Sequence, residues 1–497
     1  MWTVREERWL VATLALALGL VAASGCGDEN GQQPVPASGF TAAVLPILER
    51  SCATSGCHGA GAAAAPVDLR LDSYANVIAG SDSGEAVIPF EPDRSLAIEL
   101  LEGRAASTGV DHRASARAIG AGDLATLRGW IGDGCPDDGG TAAFSNLTNK
   151  LYVTGQGTDW ISVISVEDLV VTRLIRVEPF SGNGGLGAKP HFGEVSADNR
   201  FWIVTLLDAP GLWKFDRRDS VLAKLKTDLG AVSLAVMTPD GSKVYVTHYV
   251  NPEMPSPGYV SVIDVASFTV LRQIRVLNTS HGIAISADGS EVYVGDFGSD
   301  HITVIDTRDD SVVDHIPVSE TVRGNVDSFD YRVIQLATHP TRPLIYASCS
   351  MTNEIRVIDR QRGTVVDSLT VPAGSAAPWH LKVTRDGTKL YATNRGQEMM
   401  GGGGIMPGSV SVFTTEPFRL VANITAPCLW LPHGVEFDAA ERYCFVTSEN
   451  ANGGYAARHP VEGEEPPGTV AVIDMATDQL VKVLEVEPFA TGVFATR

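Results

Sequence analysis

Positive charge is scarce in this chain of 497 residues. Lys and Arg number 38 against 59 Asp and Glu, a formal net charge of −21. Binding to a phosphate backbone needs clustered Lys and Arg, so nucleic acid is excluded as a partner. The acidic surplus otherwise serves mainly to keep a folded protein soluble. A long hydrophobic run is missing too. The best candidate, Trp9 to Ala23, is too short and too rich in alanine to read as a membrane span. Cysteine is sparse, at seven residues. No second cysteine pair lies near Cys52 and Cys57, so a zinc site there would lack ligands. Disorder is not indicated either, because 44% of the residues are hydrophobic and only 20% are charged. The length exceeds one ordinary core, which predicts two or more domains.

Arg5 and Arg8 precede the apolar run, which ends in Ala23-Ser24-Gly25-Cys26. This resembles a bacterial lipoprotein signal cut before the cysteine. Residues 1–25 are then a signal peptide and Cys26 the lipidation site, anchoring the chain on the periplasmic or outer face of a membrane of the cell envelope. An ordinary secretory signal is the alternative, and both export the mature chain. Residues 26–39 are rich in Gly, Gln, Pro and Asp and read as a flexible tether.

The stretch Cys52-Ala-Thr-Ser-Gly-Cys57-His58 carries the clearest chemistry. Two cysteines with a histidine directly after the second is the arrangement that attaches haem c. The thiols bond to the porphyrin edge and the adjacent imidazole becomes the proximal iron ligand. Four residues separate the cysteines here where two are usual. A structural disulfide, or a metal site sharing His58, is the plainer reading. Around the motif, Phe40 to Arg50 has roughly helical apolar spacing, with Pro46 near its start or at a kink. Ser95 is positioned to cap a helix Leu96 to Glu102, and Asp123 to cap one that presents Leu124, Leu127, Trp130 and Ile131.

Residues 40–137 are similar to the planctomycete-type cytochrome c domains found fused to other modules in exported bacterial proteins. The matching residues are Phe40, Val44, Pro46-Ile47-Leu48, Cys52, Cys57-His58-Gly59, Leu69, Leu71, Pro89, Ser95-Leu96 and Trp130-Ile131. The resemblance implies one covalent haem c, and four-residue spacing is a familiar variant of that family. Its members usually place a Met-Pro pair before the last helix to supply the sixth ligand. This chain has Asp111-His112-Arg113 instead, which makes His112 the candidate distal ligand. The alternative is a solvent-exposed loop histidine with an open or water-bound iron. Two imidazoles would give a lower potential than a His/Met pair.

Residues 141–497 are dominated by an internal repeat with a period of about 40 to 60 residues. Val244-Tyr-Val-Thr247 precedes Val260-Ser-Val-Ile-Asp264, and Val292-Tyr-Val294 precedes Ile302-Thr-Val-Ile-Asp306. Similar pairs start at Leu344, Leu390, Leu151, Trp202 and Phe445, with Asp-Gly turns at Asp240, Asp288 and Asp386 marking hairpins. Each repeat reads as four short strands, a propeller blade, and seven are present. The repeat resembles the YVTN β-propellers. The final Thr491 to Arg497 is expected to join the first blade and close the ring. The expected architecture is a small all-α cytochrome c-like domain followed by an all-β seven-bladed propeller.

Aligned inner strands place His191, His281 and His433 at one position, with His380 one residue away. Three readings are open: one ancestral histidine copied between blades, a second metal or haem site near the axis, or recognition of a polar ligand. Met254, Met399, Met400, Met406 and His459 lie in long loops on the same face, and the methionines read as simple cover. The remaining Cys135, Cys349, Cys428 and Cys444 could pair in an oxidising compartment, with connectivity open.

The expectation is an exported haem c electron-transfer protein. Its propeller would offer the docking or second redox site for a redox partner protein or a small-molecule electron donor or acceptor. Whether it is an enzyme is left open. One alternative is a periplasmic oxidoreductase resembling the nitrite reductases with a d-type haem, whose propellers have eight blades. Another is a non-redox surface-binding propeller with a degenerate cytochrome domain. Lactonases with related propellers are more distant, with Glu194 and Glu436 as the available acid/base pair.

Overall fold

The computed structural model describes residues 39–54, 57–59, 68–106, 112, 119–179, 187–227, 230–249, 257–396, 407–451 and 453–497. The signal, residues 26–38 of the tether with Cys26, Asp111, Arg113 and Met254, Met399, Met400 and Met406 lie outside the described residues. From Gly39 onward the chain forms one compact unit. No helix among the described residues is long and apolar enough to cross a membrane.

The first part is helical. Phe40–Ala43 and Leu45–Ser51 are separate helices broken at Val44, because Pro46 is accommodated only in the first turn of the second. Helices Tyr74–Ala79, Leu96–Glu102 and Ala121–Gly132 follow. Together they bury Phe40, Val44, Ile98, Trp130 and Ile131 in one cluster. Two capping expectations are corrected. Ser95 occupies the N-cap position, but its hydroxyl accepts from the Ile88 amide (2.8 Å) and donates to the Glu91 carbonyl (2.9 Å). The Ala86 carbonyl satisfies the amide of Ala97 instead. Gly120, not Asp123, is the N-cap of the last helix. Asp123 sits in its first turn, where a carboxylate suits the helix dipole, and pairs with Arg50 at 2.5 Å.

Seven four-stranded antiparallel sheets follow. We number these blades 1 (residues 150–176 with 490–495), 2 (190–226), 3 (231–278), 4 (280–317), 5 (333–370), 6 (378–424) and 7 (432–486). The last strand, Ala490–Ala495, is the inner strand of blade 1, with Leu151 opposite Ala495 and Tyr152 opposite Phe494. The ring is therefore closed by joining the two ends of the propeller sequence, as expected. The tight turns before the Tyr strands carry Gly241, Gly289 and Gly387 at φ of 69° to 74°, the left-handed region that glycine enters without strain.

The repeated motif has two mechanical roles. The hydroxyl that follows Tyr-Val reaches across to the next blade's inner strand. Thr154 donates to the His191 carbonyl (3.0 Å), Thr247 to His281 (2.8 Å), Thr393 to His433 (2.8 Å) and Ser348 to Trp379 (2.6 Å). Thr205 and Thr447 do the same for Ser233 and Thr491. Blade 4 has Gly295 at this position. The second role belongs to Lys-X-Tyr. Lys150, Tyr152 and Trp202 converge on Asp219 at 2.7, 2.8 and 3.1 Å. Lys243 with Tyr245 meets Asp310, and Lys389 with Tyr391 meets Asp478, in the same way. All three aspartates sit in turns at positive φ, which Asp tolerates better than most residues.

Asp219 and Lys150 are both nearly inaccessible, so Asp219→Ala strands a buried ammonium. It should cost about 3–5 kcal/mol in urea unfolding. Glu320→Ala, which breaks an exposed pair with Arg323, should cost about 0–1 kcal/mol.

Candidate functional site

The cysteine-histidine stretch is folded back on itself. His58 N–H donates to the Cys52 carbonyl (3.0 Å) and Cys57 N–H to Thr54 (3.0 Å). A side chain at Gly59 would meet the Ala53 carbonyl at 2.2 Å, so the turn requires glycine. Leu71 N–H in turn holds the His58 carbonyl at 2.9 Å. The His58 Nδ1–H donates to the Leu69 carbonyl at 3.0 Å, which fixes the tautomer and leaves Nε2 with its lone pair.

A cavity of about 190 Å³ opens beside His58, walled by Leu48, Leu71, Val77, Ile98, Leu127 and Ile131. Cys52, Cys57, His58 and His112 all line it. Both cysteines are free thiols, and burial, then the neighbouring Cys57, pushes Cys52 up to about 11. The ring centroids of His58 and His112 lie 6.4 Å apart, with planes within 11° of parallel. A metal–imidazole bond of about 2 Å, plus about 1 Å from nitrogen to ring centre, puts two imidazoles on opposite sides of one metal about 6 Å apart. The donor set therefore fits a haem iron held from both sides, with two thiols in the same cavity.

A third imidazole in this cavity was not anticipated. His459, from the long loop of blade 7, lines the same pocket. Its Nδ1 is buried without a hydrogen-bond partner among the described residues. Burial lowers its pKa, with His112 among the groups acting on it. Its position in a proline- and glutamate-rich loop gave no sequence signal. The two parts of the chain meet along this side. Ile88 enters the core between blades 1 and 7, and Arg94 pairs with Glu487 at 2.5 Å. Arg458 donates to the Ser83 carbonyl (2.8 Å) and Lys482 to Ser81 (3.1 Å). Glu85 accepts from the Val171 amide of blade 1 at 3.0 Å and also lines the cavity.

The four propeller histidines converge on the channel. His191 lies 5.3 Å from His433 and 6.5 Å from His281, and His380 lies 4.7 Å from His433, measured between ring centroids. His380 replaces the glycine that blades 4 and 7 carry as Gly282 and Gly434. Nδ1–H of His191 donates to Gln156 (2.8 Å), and that of His281 to the Ile334 carbonyl (2.8 Å). Nε2 of His380 and Nδ1 of His433 are buried without a partner among the described residues. Burial first, then mutual repulsion and the charge of Arg395, lowers His191 to about 3 and holds His380 and His433 well below the usual range. Burial, with Arg395 adding, lowers His281 to about 4. Arg395 is itself paired with Glu449 and lies over Trp379. Among the described residues, no three His, Cys, Asp or Glu side chains stand arranged to hold a metal ion. Glu194 and Glu436 are tied to Arg497 (2.9 Å) and Lys382 (2.6 Å). Cys135, Cys349, Cys428 and Cys444 are buried free thiols.

Comparison with known proteins gives a family match over a short span. The family model described as planctomycete cytochrome C matches residues 55–107. That span contains Cys57 and His58, while Cys52 precedes it and His112 follows it. The chain matches no curated protein. Among solved structures, the hydrazine synthase of Kuenenia stuttgartiensis aligns with a TM-score of 0.50 and 19% identity over 62% of this chain and 89% of that one. A functionally unknown protein from Desulfotomaculum acetoxidans aligns with a TM-score of 0.50 and 14% identity over 68% of this chain and 99% of that one. At these identities the likeness concerns the fold alone.

The carboxyl of Glu85 generates a pH prediction. Burial raises it from 4.5 to about 7, against the backbone hydrogen bonds and Lys482, which act to lower it. A carboxyl with a raised folded value contributes stability that is complete below pH 4.5 and is lost as pH rises through about 7. Thermal melts between pH 4.5 and 8 should therefore decline over that window. Glu85→Gln should flatten the decline, and an unchanged slope would assign it to other groups.

Proposed function

We propose that this chain is an exported electron-transfer protein carrying one haem c. Cys52 and Cys57 would form the thioethers, and His58 and His112 would hold the iron. The observation that carries the reading is the 6.4 Å separation of two near-parallel imidazoles in the lining of an apolar cavity that also holds the two thiols. Bound haem supplies one-electron oxidation and reduction. The residues do the rest. His58, oriented by Leu69, presents Nε2 to the cavity. The apolar walls exclude water and hold the macrocycle. Two imidazoles favour a lower potential than a His/Met pair. With both imidazoles on the iron, the haem would suit a carrier rather than a site that binds substrate at the metal. The apolar run ending at Cys26 supports export with a lipid anchor, and covalent attachment keeps the cofactor from being lost outside the cytoplasm. The propeller, with long loops on the face that carries the histidines, is the docking surface for a redox partner protein or a small-molecule donor or acceptor.

A second reading of the propeller rests on the two unpartnered nitrogens of His380 and His433, which would suit a metal or second haem on the axis. Metal analysis tests it. A second metal per chain that disappears in His433→Ala supports the site, and iron at one per chain with nothing else removes it.

The haem itself is tested by producing the full chain with cytochrome c maturation machinery. A pyridine haemochrome of thioether type, one per chain and resistant to acid extraction, is expected. A haem-free chain with a Cys52–Cys57 disulfide would overturn the reading. His112→Ala should convert the low-spin optical spectrum to a high-spin or water-ligated one, and an unchanged spectrum would remove His112 as ligand.

A further inference from the structure

The loop of blade 7 does more than cover the helical part. A short antiparallel bridge joins Ala105 to Val461. Ala106 N–H donates to the Pro460 carbonyl (2.9 Å) and Glu462 N–H to the Arg104 carbonyl (3.5 Å). Ala106 lies six residues before His112 in the sequence. Between these two rungs and the cavity stands His459, which interacts electrostatically with His112. The loop is firmly based. Asn450 binds both the Tyr455 and Pro467 carbonyls (3.0 and 2.8 Å). Glu485, on the outer strand of blade 7, accepts from the Tyr455 hydroxyl (3.0 Å) and the Arg458 amide (2.8 Å). On the other side Arg104 is held by Glu102 (3.0 Å) and the Asp93 carbonyl (2.9 Å).

We propose that the propeller positions the distal haem ligand: the Pro460–Glu462 rungs and the His459 wall hold His112 at the sixth coordination site. The proposal rests on the haem reading above. His459 and Glu462 are positioning residues, acting on the iron through His112. A loop that only glued the two parts together would stabilise them without changing the coordination at iron.

Two variants separate these roles in the haem-loaded full chain. Glu462→Pro deletes one rung by removing its N–H, and His459→Ala leaves the rungs and opens the cavity wall. The readouts are the high-spin fraction of the oxidised protein, the rate of carbon monoxide binding to the reduced protein, and haem content per chain. Both variants should retain covalent haem. Glu462→Pro should gain high-spin character and bind carbon monoxide at least about tenfold faster, in the range of ordinary coupling between sites. His459→Ala should change in the same direction to a smaller extent. A haem-loaded parent whose variants keep the parental spectrum and carbon monoxide rate overturns this proposal alone. A parent that carries no haem overturns the haem reading and this proposal with it. Should Glu462→Pro fail to fold, His459→Ala decides the matter by itself.

Discussion

Closure of the ring by Ala490–Ala495 against Lys150–Gly155 is the constraint on which the rest depends. Seven twisted sheets have no shared core until the circle is complete, and each then buries its faces against two neighbours. Because the closing strand belongs to blade 1, blades 1 and 7 meet where the two ends of the propeller sequence come together. The helical part packs at that same junction, inserting Ile88 among Leu174, Leu484 and Val486. The hydroxyl latches add directional bonds between blades. They act on the backbone of the residues whose side chains face the channel, so that His191, His281 and His433 are fixed by Thr154, Thr247 and Thr393.

The chemistry of the pocket follows from burial and from a few oriented polar groups. Iron binds an imidazole through the lone pair of its neutral form. The carbonyl of Leu69 selects which nitrogen of His58 is offered. Leucine, isoleucine and valine around it provide no competing ligand. His112 and the propeller-loop residue His459 line the same cavity. Two hydrogen-bonded rungs tie the propeller loop to the chain at Arg104 and Ala106.

Much of this was legible in the sequence, because repetition is a strong signal. The Tyr-Val-Thr and Val-Ile-Asp pairs and the Asp-Gly turns gave seven blades and the closing strand. The motif Cys52 to His58 marked candidate thioether and proximal residues, and the absence of a methionine before the last helix pointed to His112; the structure brings all four side chains to one cavity. Local capping was less legible: Ser95 and Asp123 have the right residue types, but the Ala86 carbonyl and Arg50 had prior claims that only packing reveals. His459 was placed in a loop on the histidine face, but its proximity to the haem motif was not legible, since it arises from a contact between segments far apart in the chain. For the four channel histidines, alignment of the repeats predicted their convergence, while their neutrality depends on burial and on Arg395.

The central claim is that one iron sits between His58 and His112. Low-temperature electron paramagnetic resonance of the oxidised protein tests it most directly, because the signal depends on the identity of both axial ligands and on the angle between their planes. With rings within 11° of parallel, the account predicts a rhombic low-spin signal of the bis-imidazole kind. A high-spin axial signal, with no low-spin signal of the bis-imidazole kind, would contradict it.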